Sequence, residues 1–127
     1  MHAKRTRDDR DLVQIAYVSI AAAALTPAEL EAMAAQAAAR NADARVTGLL
    51  LHHGIYFYAI LEGPRRRVLG RIEDIIAERK ERELRILREQ AVSRRRFENW
   101  TFGMLPTSLQ LVGGPSAFLR DLCGLLE

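Results

Sequence analysis

The chain is poor in residues that would cross-link it or carry it across a membrane. Its 127 residues include one cysteine, Cys123, and four prolines. A single thiol cannot form an internal disulfide, which agrees with a reducing compartment. No apolar run is long enough to cross a bilayer, and the charged first 11 residues lack the apolar segment of a secretory signal. We therefore expect a cytoplasmic protein without membrane contact.

The composition is that of one globular domain. Apolar residues make up 49% of the chain, which is too many for a disordered protein. The net charge of +3 and the pI near 9.5 are too mild to indicate a nucleic-acid binder. We expect a flexible tail over residues 1–11, a domain over residues 12–105 and a C-terminal helical extension over residues 106–127.

Two apolar segments, Val46–Leu51 and Tyr56–Leu61, predict a β-hairpin. Gly54, after two histidines, can supply the tight turn between them. Because Val46–Leu51 is almost wholly apolar, we expect that strand to be buried on both faces. The hairpin is therefore predicted to lie at the centre of a sheet.

The other elements follow from periodicity and capping signals. A capping box at Thr26 and Glu29, with Pro27 between them, opens a helix that should run to about Arg40. The remaining predictions are strands over Leu12–Ser19, Leu84–Val92 and Phe97–Met104, a helix from Pro64 to about Lys80, and a terminal helix after Ser116. This order predicts an α+β fold, a mixed sheet with two helices on one face. The third helix or a second protomer would cover the other face.

Two polar side chains stand among apolar ones on the predicted inner faces. Tyr17 shares a strand face with Val13 and Ile15, and Asn41 ends a helix stripe that includes Met33. Each side chain needs a hydrogen-bond partner if it is buried. Either they bond to each other or to the backbone, or they flank a planar polar ligand between the helices and the sheet. On the second helix, Ile75 belongs to the apolar stripe, whereas Arg71 is predicted on the wet face.

No catalytic or metal-binding constellation is present in the sequence. His52 and His53 are adjacent, so in a strand they point to opposite faces and cannot chelate one metal. There is no phosphate-binding glycine loop, and no activated nucleophile or base can be named. We therefore predict no metal site and no enzymatic activity, although a small enzyme on this kind of sheet remains the third hypothesis.

The spacing of several motifs resembles the BLUF domain, the blue-light sensor that uses FAD. The resemblance covers residues 12 to 105 and rests on four segments: Ile15–Ser19, Arg40–Leu50, Phe57–Pro64 and Arg96–Trp100. It implies a ferredoxin-like βαββαββ fold in which two helices cradle the flavin. It also implies a sensory or regulatory domain that signals to a protein partner.

The resemblance assigns roles to five residues. Tyr17 matches the tyrosine that donates an electron to the excited flavin, and Asn41 matches the asparagine that bonds the polar edge of the ring. Met33 and Ile75 would supply apolar contacts to the ring, and Lys80 keeps a cation found after the second helix.

The sequence also departs from the family pattern. Arg40 replaces a second asparagine, Glu81 replaces a histidine, and Phe102 stands where many members have methionine. Ala59 replaces the glutamine whose amide rearranges after light absorption. Since a methyl group neither donates nor accepts hydrogen bonds, we expect the photoswitch to be lost.

Two functional hypotheses follow. The first is a stand-alone BLUF-type sensory domain, by resemblance an FAD-binding blue-light photoreceptor or a descendant of one that has lost the switch at Ala59, which acts on a partner protein; in either hypothesis we expect a homo-oligomer, and the second would self-associate through the sheet face or the terminal helix. The second is a flavin-free, light-insensitive interaction module on the same fold. In that case larger side chains, with Tyr58 and Phe102 as candidates, would fill the flavin pocket.

Overall fold

The strands form one five-stranded sheet in a computed structural model that describes residues 11–105. The predicted tail before residue 11 and the predicted helical extension over residues 106–127 lie outside the described residues. The strands are β1 (Leu12–Ala21), β2 (Thr47–His53), β3 (Tyr56–Pro64), β4 (Glu81–Ala91) and β5 (Trp100–Met104), and the helices are α1 (Pro27–Ala44) and α2 (Arg65–Glu78). Neither helix in this part of the chain is long and apolar enough to cross a membrane.

The strand order is β4-β1-β3-β2-β5, and every pairing is antiparallel except that of β2 with β5. One apolar cluster joins strand residues such as Ile15 to Leu30 of α1 and Ile72 of α2. A second cluster, around Tyr58 and Ile60, contains no helix residue within the described chain. Both helices therefore cover one face, and the predicted ferredoxin-like α+β fold is confirmed.

The strand that is buried on both faces is β3, and the prediction for β2 was wrong. β3 occupies the middle of the sheet, and its residues from Phe57 onward are buried. In β2, Leu50 is buried but Leu49 and Leu51 are partly exposed. The consecutive leucines of β2 gave no sign of this alternation in the sequence. β2 is less completely covered than β3 because it lies beside the short last strand.

The predicted capping box begins α1, and the helix runs one turn further than expected. Glu29 N donates to Thr26 Oγ1 at 3.1 Å, and Thr26 N donates to Glu29 Oε1 at 3.0 Å. The helix ends where Arg45 adopts a left-handed conformation with φ of 60°. Asn41 therefore lies inside the last turn of α1, where it is buried.

A buried carboxylate anchors the loop that leads into β5. Glu62 is fully buried in β3, and its Oε1 accepts the backbone amides of Arg96 and Phe97, each at 2.7 Å. Its Oε2 accepts Gln14 Nε2 at 2.8 Å, and Arg95 adds a hydrogen bond to Thr47 Oγ1 at 2.8 Å. These contacts fix the approach of β5 and thereby the position of Trp100.

Replacement of Glu62 by Gln should destabilise the domain. The amide would set an N–H group against one of three donors, so we expect a loss of about 1.5 to 3 kcal/mol in unfolding free energy. Urea denaturation monitored by circular dichroism measures the unfolding free energy of each protein. Glu98→Gln is the matched control, because Glu98 lies in the same loop and is exposed. Equal midpoints for the two variants would contradict the anchoring role.

Candidate functional site

A cavity lies between α1, α2 and the helix-covered face of the sheet, and we call it the slot. All five residues predicted to contact a cofactor line it: Tyr17, Met33, Asn41, Ile75 and Lys80. The other lining residues include Leu50, Leu61, Arg71, Glu81 and Trp100. The volume of the slot is about 30 Å³, which is room for about two water molecules.

Arg71 lies inside the slot, and its predicted place on the exposed face of α2 was wrong. Its exposed fraction is 4%. Nε donates to Asn41 Oδ1 at 2.6 Å, and Nη1 lies 3.4 Å from Asp74 Oδ2. The signal was present in the sequence, because Arg71 follows Val68 by three positions and precedes Ile75 by four. That spacing places it on the apolar stripe.

Glu81 reaches the slot from the opposite side. It is the first residue of β4, three positions before the strand start predicted from sequence, and it is 7% exposed. Its Oε1 accepts hydrogen bonds from Ser19 Oγ at 2.5 Å and from Tyr17 Oη at 3.1 Å. Tyr17 and Asn41 thus share one cavity, but each bonds to a charged residue of the chain, not to the other.

Burial controls the protonation of the Tyr17–Glu81 pair. Desolvation raises the pKa of Tyr17 well above its ordinary value, and the nearby charge of Glu81 raises it further. Desolvation also raises the pKa of Glu81, an effect that the hydrogen bonds from Ser19 and Tyr17 oppose. Tyr17 therefore remains a hydrogen-bond donor over the physiological pH range, and its acceptor is a carboxylate that ionises with difficulty.

Two polar contacts cross the mouth of the slot. Arg40 of α1 forms an ion pair with Glu78 at the end of α2. Lys80 Nζ donates to Gln36 Oε1 at 3.0 Å, which again joins the segment after α2 to α1. Arg40 and Lys80 therefore each bond to another side chain of the domain at the entrance of the slot.

The sheet beside the slot lacks a polar group at the position where the family resemblance predicted one. Ala59 in β3 lies opposite Tyr17 of β1 and opposite Leu50 of β2, and it is buried. Trp100 Nε1 is buried and has no hydrogen-bond partner within residues 11–105. Within the described residues, the slot is therefore lined by one buried N–H group without a partner, and the strand position between Tyr17 and Leu50 carries only a methyl group.

The side chains predicted to fill an unused pocket do not line the slot. Tyr58 belongs to the apolar cluster on the opposite face of the sheet. Its neighbour in sequence, Ala59, faces the helices, since alternate residues of a strand point to opposite faces. Phe102 packs against the main core beside Leu50, but it is not among the residues that line the slot.

No metal site accompanies the slot in the described part of the chain. No three His, Cys, Asp or Glu side chains there are grouped as ligands. His52 and His53 lie at the end of β2, and the ring of His52 packs on Phe57 with 5.0 Å between centroids.

Comparison with known proteins shows the family of this chain. Residues 12–103 match the family model described as BLUF, sensors of blue-light using FAD. Because the match spans well over half of the chain, the chain belongs to the BLUF family, a family of flavin-binding light-sensor domains. No curated protein matches the chain significantly.

Solved structures of BLUF proteins share the fold. The chain is similar to a bacterial light-regulated adenylyl cyclase, with a TM-score of 0.70, 20% identity and coverage of 91% of this chain and 33% of that one. For BlrB, a BLUF protein in its dark state, the TM-score is 0.69 with 24% identity, covering 93% of this chain and 83% of that one. For the calcium/cy-diGMP complex of Klebsiella pneumoniae BlrP1 the TM-score is 0.67 with 24% identity, covering 86% and 28%. The chain therefore spans about a third of the cyclase chain and less than a third of the BlrP1 chain in that complex.

The side chains of the slot, as they are arranged, do not fit a flavin ring. The cavity of about 30 Å³ is about a tenth of the smallest volume usual for a ligand pocket. The Asn41 amide oxygen is engaged by Arg71, and the Tyr17 hydroxyl is engaged by Glu81. The roles of the five lining residues towards FAD remain predictions.

Replacement of Glu81 by Gln should flatten the pH dependence of stability. Because the folded-state pKa of Glu81 is raised, its contribution to stability is fully present below the unfolded pKa and is lost as the pH rises through the folded pKa. We therefore expect the wild type to lose more unfolding free energy than Glu81→Gln between about pH 4 and pH 8.

Urea denaturation at several pH values measures this difference, with Glu83→Gln as a control at an exposed position of the same strand. Parallel profiles for the wild type and Glu81→Gln would show that burial does not raise the pKa of Glu81.

Proposed function

We propose that this chain is a light-insensitive regulatory domain on the BLUF fold, acting in the cytoplasm through contacts with a partner protein. The observation that carries the proposal is Ala59. In β3 it lies directly between Tyr17 and Leu50, on the face of the sheet that the helices cover. A methyl group there cannot change its hydrogen bonds in response to light.

The state of Tyr17 supports the same proposal. By resemblance to the family, this tyrosine starts the light response by giving an electron to the flavin. Its hydroxyl here donates to Glu81, a buried carboxylate that also accepts a hydrogen bond from Ser19. The hydrogen bonds around Tyr17 are therefore complete within the chain and do not depend on a bound ring.

An output through protein contacts, including self-association, belongs to this proposal. β4 is an edge strand of the described sheet, so one side of its backbone is not paired within that sheet. It also carries Ile86, whose exposed fraction is 45%. An exposed edge with an apolar side chain is suited to contact with a partner or a second copy.

A second candidate is a domain that holds FAD but does not respond to light. It is favoured by the common position of the five predicted contact residues around one slot. The N–H of Trp100, which has no hydrogen-bond partner within residues 11–105, also favours it, because a bound group could accept that hydrogen bond.

Blue light should leave the purified protein unchanged in the presence of excess FAD. We expect no displacement of the flavin absorption band, because no amide is present at position 59 to alter the hydrogen bonding of the ring. Difference spectra before and after illumination measure this, with an identical sample behind a filter that removes blue light as the control. A band displacement that reverses in the dark would contradict the proposal.

A further inference from the structure

We infer that Arg71 is the residue that determines what the slot admits: its guanidinium occupies the Asn41 amide oxygen and so excludes a flavin ring. The inference rests on the proposed function, because it explains how a BLUF fold can operate without its cofactor. It concerns the binding of the ring, whereas the proposal about Ala59 concerns the response to light.

The first argument is competition for one acceptor. Asn41 is 1% exposed, and its Oδ1 accepts Arg71 Nε at 2.6 Å. A hydrogen bond from a charged donor is stronger than one from a neutral donor such as a ring N–H. A ligand that uses this amide oxygen must therefore displace a stronger donor that is already in place, or fit beside that donor on the second lone pair of the oxygen.

The second argument is position. Arg71 projects from α2, and Asn41 belongs to α1, so their hydrogen bond crosses the space between the two helices. A planar ring inserted between α1 and α2 would have to enter the same space. The slot retains about 30 Å³ with Arg71 in place, so the guanidinium and the ring cannot both be accommodated.

The third argument is the cost of moving a buried charge. Arg71 is 4% exposed, and a buried guanidinium that loses its partner is strongly unfavourable. Asp74 lies 3.4 Å from Nη1, and its side chain is 60% exposed. Displacement of Arg71 would therefore require a swing towards Asp74 and solvent, together with an opening of the rim contacts between Arg40 and Glu78 and between Lys80 and Gln36.

The direct test is an FAD titration of the wild type, Arg71→Ala and Arg67→Ala. Arg67 is the matched control, because it is an exposed arginine on the same helix. The only tryptophan of the chain, Trp100, lines the slot, so quenching of its fluorescence reports on a ring bound there. Anisotropy of the flavin fluorescence gives a second, independent binding curve.

We expect Arg71→Ala to bind FAD at least about tenfold more tightly than the wild type, as removal of one charged competing hydrogen bond predicts. Arg67→Ala should match the wild type. Equal affinity of all three proteins would overturn the inference, whether they all bind FAD or all fail to bind it. If Arg71→Ala gives no cooperative unfolding transition, Arg71→Met, which keeps a long side chain without the guanidinium, is judged by the same criterion.

A measurement on the wild type keeps the inference testable without any variant. In NMR spectra the Nε–H of Arg71 should exchange with solvent much more slowly than that of Arg67, and it should not shift when FAD is added. Exchange as fast as that of Arg67 would overturn the inference. Illumination of FAD-loaded Arg71→Ala separates the two proposals: a reversible band displacement there refutes light insensitivity, whereas the affinity comparison alone decides the role of Arg71.

Discussion

The hydrogen bond from Arg71 Nε to Asn41 Oδ1 is the contact on which the arrangement of the slot depends. It joins two helices through residues 30 positions apart in sequence, and both side chains are almost completely buried. A buried guanidinium must be paired, so the bond constrains the spacing of α1 and α2 as well as the orientation of both side chains. The small volume of the slot follows from that constraint, because the space between the helices is filled by a side chain of the domain.

Glu81 completes the polar interior from the side of the sheet. The carboxylate accepts from both Tyr17 and Ser19, so the phenol that is unusual in an apolar strand face has its partner within the fold. Together with the methyl group of Ala59, this leaves a BLUF fold with a slot between its helices and its sheet. The polar groups that the family resemblance assigns to flavin and to switching are instead satisfied internally or replaced.

Local sequence patterns and the family resemblance together predicted the fold, and the five residues to which the resemblance assigns a flavin contact lie around the slot. The capping box at Thr26 defined the start of α1, and the period of two in β1 placed Tyr17 on the helix-covered face. What local patterns could not predict was pairing between distant residues. Arg71 was assigned to the wet face because charge was given more weight than its spacing from Val68 and Ile75.

The start of β4 was predicted at Leu84, three residues after its observed start at Glu81, and this error has a related cause. The neighbours of Glu81 are charged, so the start of β4 had no apolar signal, and its partners in β1 lie more than 60 residues away in sequence. Tyr58 adjoins Ala59 in sequence, yet strand alternation places it on the other face of the sheet, so it does not fill the slot. Local periodicity was thus sufficient to place Arg71 and Tyr58, whereas the burial of Glu81 depends on partners that are distant in sequence.

The most direct test of this account is a crystal structure of the wild-type protein grown with excess FAD. The account predicts Arg71 Nε within hydrogen-bond distance of Asn41 Oδ1, and no ring between α1 and α2. A flavin ring between the helices, with its polar edge on Asn41 and Arg71 turned towards Asp74, would contradict it.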